Sequence, residues 1–203
     1  MLILLRHGQS TLNAAGCLAG RLDVPLTDVG REQAAAGARA VLALGRPVRV
    51  VSSPLIRARE TAEALGLPVE VDERWIELDY GEFDGRPLGD VPADFWTALR
   101  ADPTWRPAGG ESLVDVGRRV RAACDELGPA AGEGDVVVVT HVSPLKAAVA
   151  WALGVGDEVS WRLYLATGSI TRIALTGRGP SLHGFNDTGH LGGPAPGAGP
   201  GPG

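Results

Sequence analysis

With 203 residues, 44% of them hydrophobic, the chain has the apolar content of one well-packed domain and not that of a disordered polymer. A formal charge of −5 argues against a nucleic-acid surface, and no apolar run reaches the length of a membrane-spanning helix. Two cysteines, Cys17 and Cys124, make neither a disulfide scaffold nor a spaced metal site, and no basic-then-apolar secretory segment is seen, so the expected compartment is the cytoplasm.

Leu2-Ile3-Leu4-Leu5 is a short continuous apolar run, the right length for a buried strand, and it ends in Arg6-His7-Gly8. A strand here delivers Arg6 and His7 to its C-terminal edge, Gly8 lets the backbone turn closely around an anion, and Ser10, Thr11 and Asn13 add short polar groups beyond the turn. Leu18 to Pro25 is loop-like and carries Arg21, a second candidate anion contact. Leu26-Thr27-Asp28 then prepares a helix with Ala34, Ala38, Val41 and Leu42 on one face. Val48 to Val51 is predicted as a strand, and Ser52-Ser53-Pro54 as the start of a helix running to about Leu65, packed through Leu55, Ala58, Ala62 and Leu65. Arg57 falls in the first turn of that helix, off the packed stripe, where a cation opposes the helix dipole unless an anion compensates it. Val69 to Val71 adds a short strand.

Between positions 73 and 85, acidic residues lie among Trp75, Ile76, Leu78, Tyr80 and Phe83. A carboxylate in such a partly apolar loop can be kept protonated for use as a general acid, but period and composition do not choose among Glu73, Glu77, Asp79, Glu82 and Asp84. Asp90 to Pro103 predicts a short helix carrying Phe95 and Trp96, followed by Trp105; these aromatics form either a pocket wall or a satellite core. Ser112 and Asp115 have capping-box spacing and open the most regular helix, which Gly128-Pro129 is expected to stop. Val136 to Val139 is a second buried strand, ending in Thr140-His141, and Ser143-Pro144 opens the helix after it. Trp161 to Ala166 and Ile170 to Leu175 read as two edge strands. Periodicity is lost after His183, and Gly192 to Gly203, which contains only Gly, Pro and Ala, is expected to be a disordered tail.

Strands alternating with helices predict an α/β fold, a three-layer α/β/α sandwich around a mostly parallel sheet with its chemistry at the strand C-terminal edge. The sequence contains no phosphate-binding P-loop and no grouped metal-ligand motif, so neither a metal nor a cofactor is called for. Two histidines and two arginines suit a phosphoryl group. An arginine fork binds phosphate oxygens, a neutral imidazole can attack phosphorus, and a second, protonated imidazole can donate to an equatorial oxygen.

The ordered set resembles the histidine phosphatase superfamily, also called the phosphoglycerate mutase-like family, over most of residues 1 to 176. Arg6-His7-Gly8-Gln9-Ser10-Thr11-Leu12-Asn13 is similar to the first family motif, and Leu26 to Ala34 to the segment after it. Ser52 to Ala62 resembles the segment that supplies a clamp arginine, Glu77 to Gly85 the proton-donor segment, and Val139-Thr140-His141 the second phosphate-binding histidine. The resemblance implies His7 as phosphorylated nucleophile, Arg6, Arg57, Asn13 and His141 as phosphate contacts, and Glu82 as proton donor. Arg21 and Val142 are the further substrate contacts expected. Where the family commonly has glycine after its second histidine, this chain has Val142-Ser143-Pro144-Leu145-Lys146, which resembles actinobacterial acid phosphatases and α-ribazole phosphatase-like domains. Trp105 to Ser112 is instead similar to a segment of glucosyl-3-phosphoglycerate phosphatases.

The implied protein is one histidine phosphatase domain over residues 1–191, a metal-independent phosphomonoester hydrolase working through phosphohistidine on a small phosphorylated metabolite. Neither nucleic acid nor a membrane is an expected partner, and a homodimer is allowed for. Two alternatives stay open: a mutase-like phosphoryl transferase, and a phosphate-ester binding protein without turnover.

Overall fold

In the computed structural model, which describes residues 1–192, the chain runs β1 (Leu2–Arg6), α1 (Thr11–Ala14), α2 (Asp28–Leu44), β2 (Arg49–Ser52), α3 (Ile56–Glu63), β3 (Glu70–Val71), α4 (Ala93–Ala101), α5 (Leu113–Glu133), β4 (Val136–Thr140), α6 (Val142–Leu153), β5 (Ile170–Thr176) and β6 (Gly179–Asp187). The Gly/Pro/Ala tail lies outside the described residues except for Gly192. The strands form one sheet in the order β3-β2-β4-β1-β5-β6. The first four are mutually parallel, and β5 and β6 close one side antiparallel.

Two strands without a polar break need cover on both faces, because successive side chains point to opposite sides of a sheet. Leu2 and Leu4 of β1 and Val136 and Val138 of β4 share one core with Val116, Val120 and Leu127 of α5 and Leu145 and Val149 of α6. Ile3, Leu5, Val137 and Val139 face the other way, onto Ala38 and Val41 of α2 and Ala58 and Ala62 of α3. The result is the mixed six-stranded sheet with helices on both sides that the alternation of elements predicts. No helix among the described residues is long and apolar enough to cross a membrane.

Four local expectations are corrected. Helix α5 does not stop at Pro129 but continues to Glu133. The missing N–H removes one ladder bond, yet Leu127 and Ala131 on either side are both buried in the core, which holds the next turn in helical register. Helix α3 begins at Ile56, with Leu55 at its N-cap and no side-chain cap; Ser53 serves the turn before it, its hydroxyl accepting from the Leu55 N–H at 3.3 Å. Trp161 to Ala166 is not a strand. Its alternation has another cause: Trp161, Leu163 and Leu165 line a cleft, while a 3-10 helix over Asp157–Arg162 starts the segment and Asn186 Oδ1 accepts from the Ala166 N–H at 2.8 Å. Nor is β5, expected at an edge, an edge strand: it lies between β1 and β6, and the edge is β6, which sequence pattern hides because Gly, Pro, Ser and Asn interrupt it; Leu182 and Phe185 pack on the core from it.

The turn after β1 is held against the start of α2 by contact between two glycines. A Cβ on Gly8 would lie 2.2 Å from the Gly30 carbonyl oxygen, and one on Gly30 would lie 2.0 Å from the Gln9 oxygen. Backbone atoms cannot yield as a flexible side chain does. We expect Gly30→Ala to destabilise the protein by roughly 1–3 kcal/mol or more, as overpacking does. Gly132→Ala, in α5 with no atom within 4 Å, should stabilise by roughly 0.5–1 kcal/mol through helix propensity. Urea denaturation of both variants checks the contrast; a tolerated Gly30→Ala would show that the two backbones do not meet.

Candidate active site

The site follows from the pairing of β1 with β4. Arg6 is the register partner of Thr140, and the His7 N–H donates to the Thr140 carbonyl at 3.0 Å, so the two chains leave the sheet side by side. His7 and His141 come out with ring centroids 5.0 Å apart, and both are buried. This is the edge where strand connections diverge, β1 leading away to α2 and β4 to α6.

His7 Nδ1 lies 2.6 Å from the Gly8 carbonyl oxygen. A carbonyl can only accept, so Nδ1 carries the proton and Nε2 keeps its lone pair. Burial first, then the charges of Arg57 and Arg6, push the His7 pKa well below its ordinary 6.5, against a smaller opposing effect of the Gly8 bond. The ring is therefore neutral at neutral pH, and its Nε2 lone pair is the kind of group that can act as a nucleophile. His141 Nε2 is 2.7 Å from Ser53 Oγ, and its pKa is also driven well below 6.5, by burial, Arg57, His7, Arg6 and Arg119 in that order. The imidazolium expected at His141 is thus not the form that the protein's own charges favour.

Arg57 is fully buried. Its terminal nitrogens donate to the Gly20 and Leu22 carbonyls at 2.6 and 2.9 Å, and Glu77, Asp84 and Asp23 oppose the effect of burial on its charge. These groups meet the requirement for compensation that its helix position created. The Gly8 N–H donates to Thr61 Oγ1 at 3.2 Å, and that hydroxyl donates to the Arg57 carbonyl at 2.8 Å, which ties the β1 turn to α3. Arg6 donates from one terminal nitrogen to the Leu165 carbonyl at 2.5 Å. Among the described residues, five buried side-chain polar atoms lack a hydrogen-bond partner, and three of them are Arg6 Nε, Arg57 Nε and His141 Nδ1. Such groups are rare and costly in cores, and their concentration marks a functional site.

Arg6, His7 and Asn13 open onto a cleft of about 400 Å³. Asn13 Oδ1 accepts from the N–H and hydroxyl of Ser10, which leaves its NH2 group as a donor. Glu77 is the one carboxylate among the residues of this cleft wall. It is buried, and three backbone donors fix it: Leu78 N–H to Oε1 at 2.7 Å, Ser143 N–H to Oε1 at 3.1 Å and Val142 N–H to Oε2 at 3.0 Å. Val142 lines the cleft as expected, but its N–H serves Glu77.

Glu82 is elsewhere. Its side chain is 58% exposed, its nearest cation is Arg86 at 3.9 Å, and it is not on the cleft wall. The sequence signal that separates the two acids is their immediate company: Glu77 sits between buried Trp75 and Leu78, whereas Glu82 follows Gly81 in a one-turn 3-10 helix with no buried residue. Arg21 is also not a cleft residue. It pairs with Asp79 at 3.3 Å and Glu111 at 3.1 Å and donates to the Glu77 carbonyl at 3.3 Å, so it supports the loop that carries Glu77. Of the aromatics, Trp96 lines the cleft, Phe95 packs edge-on between Trp96 and Trp105 in the core, and Trp105 borders a separate groove. Tyr80, Lys146, Trp161 and Tyr164 are cleft residues that sequence reasoning did not single out.

Fold and site together define an enzyme of phosphoryl chemistry, with paired imidazoles and guanidinium groups at the switch point of an α/β sheet. Residues 2–188 match the model of the histidine phosphatase superfamily (branch 1), and the chain belongs to that superfamily. It is 38% identical over 190 residues to a glucosyl-3-phosphoglycerate phosphatase of Mycolicibacterium vanbaalenii, covering 87% of this chain and 84% of that protein. It is 34% identical over 199 residues to phosphoserine phosphatase 1 of Hydrogenobacter thermophilus, covering 94% of each. A bifunctional protein of Mycobacterium tuberculosis is 36% identical over 198 residues, 94% of this chain, but the chain spans only 54% of its length. Among solved structures, a mycobacterial glucosyl-3-phosphoglycerate phosphatase in complex with VO3 superposes with a TM-score of 0.83 at 34% identity, over 92% of this chain and 99% of that one. The protein is a histidine phosphatase, a phosphomonoester hydrolase.

The depressed histidine pKa values carry a stability consequence. Below the ordinary value of 6.5 the unfolded chain binds protons that His7 and His141 do not, so stability falls as pH falls, by up to about 1.4 kcal/mol per pH unit for each ring. Urea midpoints measured from pH 7 to pH 5 should therefore drop more steeply for the native protein than for a His7→Asn/His141→Asn double variant. Identical slopes would show that the two rings titrate normally.

Proposed function

We propose that hydrolysis runs through a phosphohistidine on His7, with Glu77, in place of Glu82, as the proton donor. The observation that carries this reading is the fixed tautomer of His7: Nδ1 donates to Gly8, which leaves Nε2 as the unprotonated atom in a cleft shared with a single carboxylate. In the first step Nε2 attacks phosphorus in line with the ester oxygen, the P–O bond breaks, and Glu77 gives its proton to the departing alkoxide. In the second, Glu77 takes a proton from water as its oxygen attacks phosphorus, the P–N bond breaks, and inorganic phosphate leaves. Arg6, Arg57, Asn13 and His141 supply positive charge and N–H donors to the phosphoryl oxygens in both steps.

The substrate class is a small phosphorylated metabolite. A cleft of about 400 Å³ suits a small molecule, and the relatives named above are phosphatases of glucosyl-3-phosphoglycerate and phosphoserine. The proposed compartment is the cytoplasm, which agrees with the free thiols Cys17 and Cys124.

Acid quench of a single-turnover reaction should trap an acid-labile phosphoenzyme in the native protein and none in His7→Ala. Glu77→Gln should lose about a hundredfold or more in kcat with alkyl phosphates, whose leaving groups need a proton, and far less with nitrophenyl phosphate. Glu82→Gln should stay near native with both. If Glu82→Gln shows the leaving-group dependence and Glu77→Gln does not, the assignment of the acid is wrong.

A further inference from the structure

Lys146 is a cation that the phosphatase mechanism does not use. It stands one helical turn after Val142 on α6, on the same face, and both line the cleft. That helix is otherwise the most apolar of the fold: Ser143, Pro144, Leu145, Ala147, Ala148, Val149, Ala150 and Ala152 are all buried. Placing an ammonium in such a helix has a desolvation cost that an ion pair or hydrogen bonds would normally offset. Lys146 has neither among the described residues. It is half-buried, and burial pushes its pKa down to about 8, with Glu77 working against that shift and Arg6 adding to it. Its surroundings are aromatic, with Tyr80, Trp96 and Trp161 beside it on the wall of the cleft.

The groups around the cleft divide into two ends. Arg6, His7 and Asn13 belong to the phosphate end, and Glu77 to the scissile oxygen. Lys146 faces what remains, the part of the substrate that leaves as the alcohol. Resting on the phosphatase reading, we propose that Lys146 binds a carboxylate on that alcohol, so that the preferred substrates are phosphate monoesters of hydroxy acids. A lone ammonium carries one positive charge, which a carboxylate balances and a second phosphate, with about two negative charges, exceeds. The aromatic walls exclude water from the pair and strengthen it. Neutral monoesters of the same size would cover the ammonium without giving it a partner, and rejection by an unpaired polar group is sharper than rejection by shape.

The test compares 3-phosphoglycerate with glycerol 3-phosphate, which carries a hydroxymethyl group in place of the carboxylate, and with nitrophenyl phosphate. The native enzyme should prefer 3-phosphoglycerate in kcat/KM. Lys146→Met should lower kcat/KM for 3-phosphoglycerate roughly ten- to hundredfold, mainly through KM, and change the other two by less than about twofold. Lys146→Arg should restore part of the loss. Retained nitrophenyl phosphate turnover in each variant reports an intact fold and phosphate end.

The pH dependence supplies a readout that a structural role would not move. The native preference for the carboxylate should fade above about pH 8, where the free ammonium deprotonates, and should persist there in Lys146→Arg. The other titratable or charged groups facing this space are Arg6 and His7 at the end of β1, Glu77 and Tyr80 before α4, and Cys17 and Tyr164 on the wall; all are common to both proteins. Equal losses in Lys146→Met on all three substrates, or no native preference for 3-phosphoglycerate over glycerol 3-phosphate, would overturn the proposal while leaving the phosphatase intact. Absence of turnover on every monoester, nitrophenyl phosphate included, would instead sink the phosphatase reading and this proposal with it.

Discussion

Everything at the site depends on the parallel pairing of β1 with β4. Five register pairs, from Leu2 with Val136 to Arg6 with Thr140, bring together segments more than a hundred residues apart in the chain. The bond from the His7 N–H to the Thr140 carbonyl extends that ladder by one step past the strand end. A slip of one residue would turn the apolar face of β1 from α5 and α6 toward α2 and α3, and would carry His7 away from His141. Because both faces of both strands are buried, the register that satisfies the core is also the register that builds the site.

A second framework holds Glu77, the proposed acid. Glu77 is fixed from one side by the N-terminus of α6, through the Val142 and Ser143 N–H groups, so the strand that positions His141 also positions the carboxylate. From the other side, Arg119 and Arg21 both donate to the Glu77 carbonyl at 3.3 Å, and both are tied to Glu111. Asp84 adds a further clamp by accepting from the N–H groups of Gly20, Arg21 and Leu22. The Gly20 and Leu22 carbonyls in turn accept from Arg57. A loop from the first third of the chain thus links Arg57 to the segment that carries Glu77.

The parts that were legible in the sequence are those where local pattern and local chemistry coincide. Leu2 to Leu5 and Val136 to Val139 announce buried strands, and Arg6, His7 and His141 stand at their ends, where chain direction alone dictates the site. Thr27, Ser112 and Asp115 announce helix starts, and the structure uses each as a cap. What was not legible depended on long-range geometry. Glu77 and Glu82 lie five positions apart in the same segment; the buried neighbours of Glu77 are a weak local signal, and the contact that sets it apart, with Val142 and Ser143, is made more than sixty residues later. Arg21 looked like a free cation because its carboxylate partners, Asp79 and Glu111, are remote in sequence. Strand β6 lacks alternation since its position at the sheet edge leaves it only partly buried, and the alternation of Trp161 to Leu165 serves the cleft wall instead of a ladder.

The electrostatics of the site follow from crowding two guanidinium groups and two imidazoles into a space from which water is largely excluded. Burial, and after it the charge of arginines that stay ionised, depresses both imidazoles, and both are neutral at neutral pH. For the role proposed for His7 that outcome is useful at once, since a neutral ring keeps the lone pair that attack on phosphorus requires. For His141 it means that the proposed donation to a phosphoryl oxygen would go through a neutral N–H until an anion among these groups favours a second proton. The same crowding that suppresses the imidazolium form selects for anionic ligands: a phosphate group reduces the repulsion between Arg6 and Arg57, whereas a neutral ligand leaves it in place. Binding and activation therefore share one origin. The charge that would draw a phosphate in adds to burial in keeping His7, the proposed nucleophile, unprotonated.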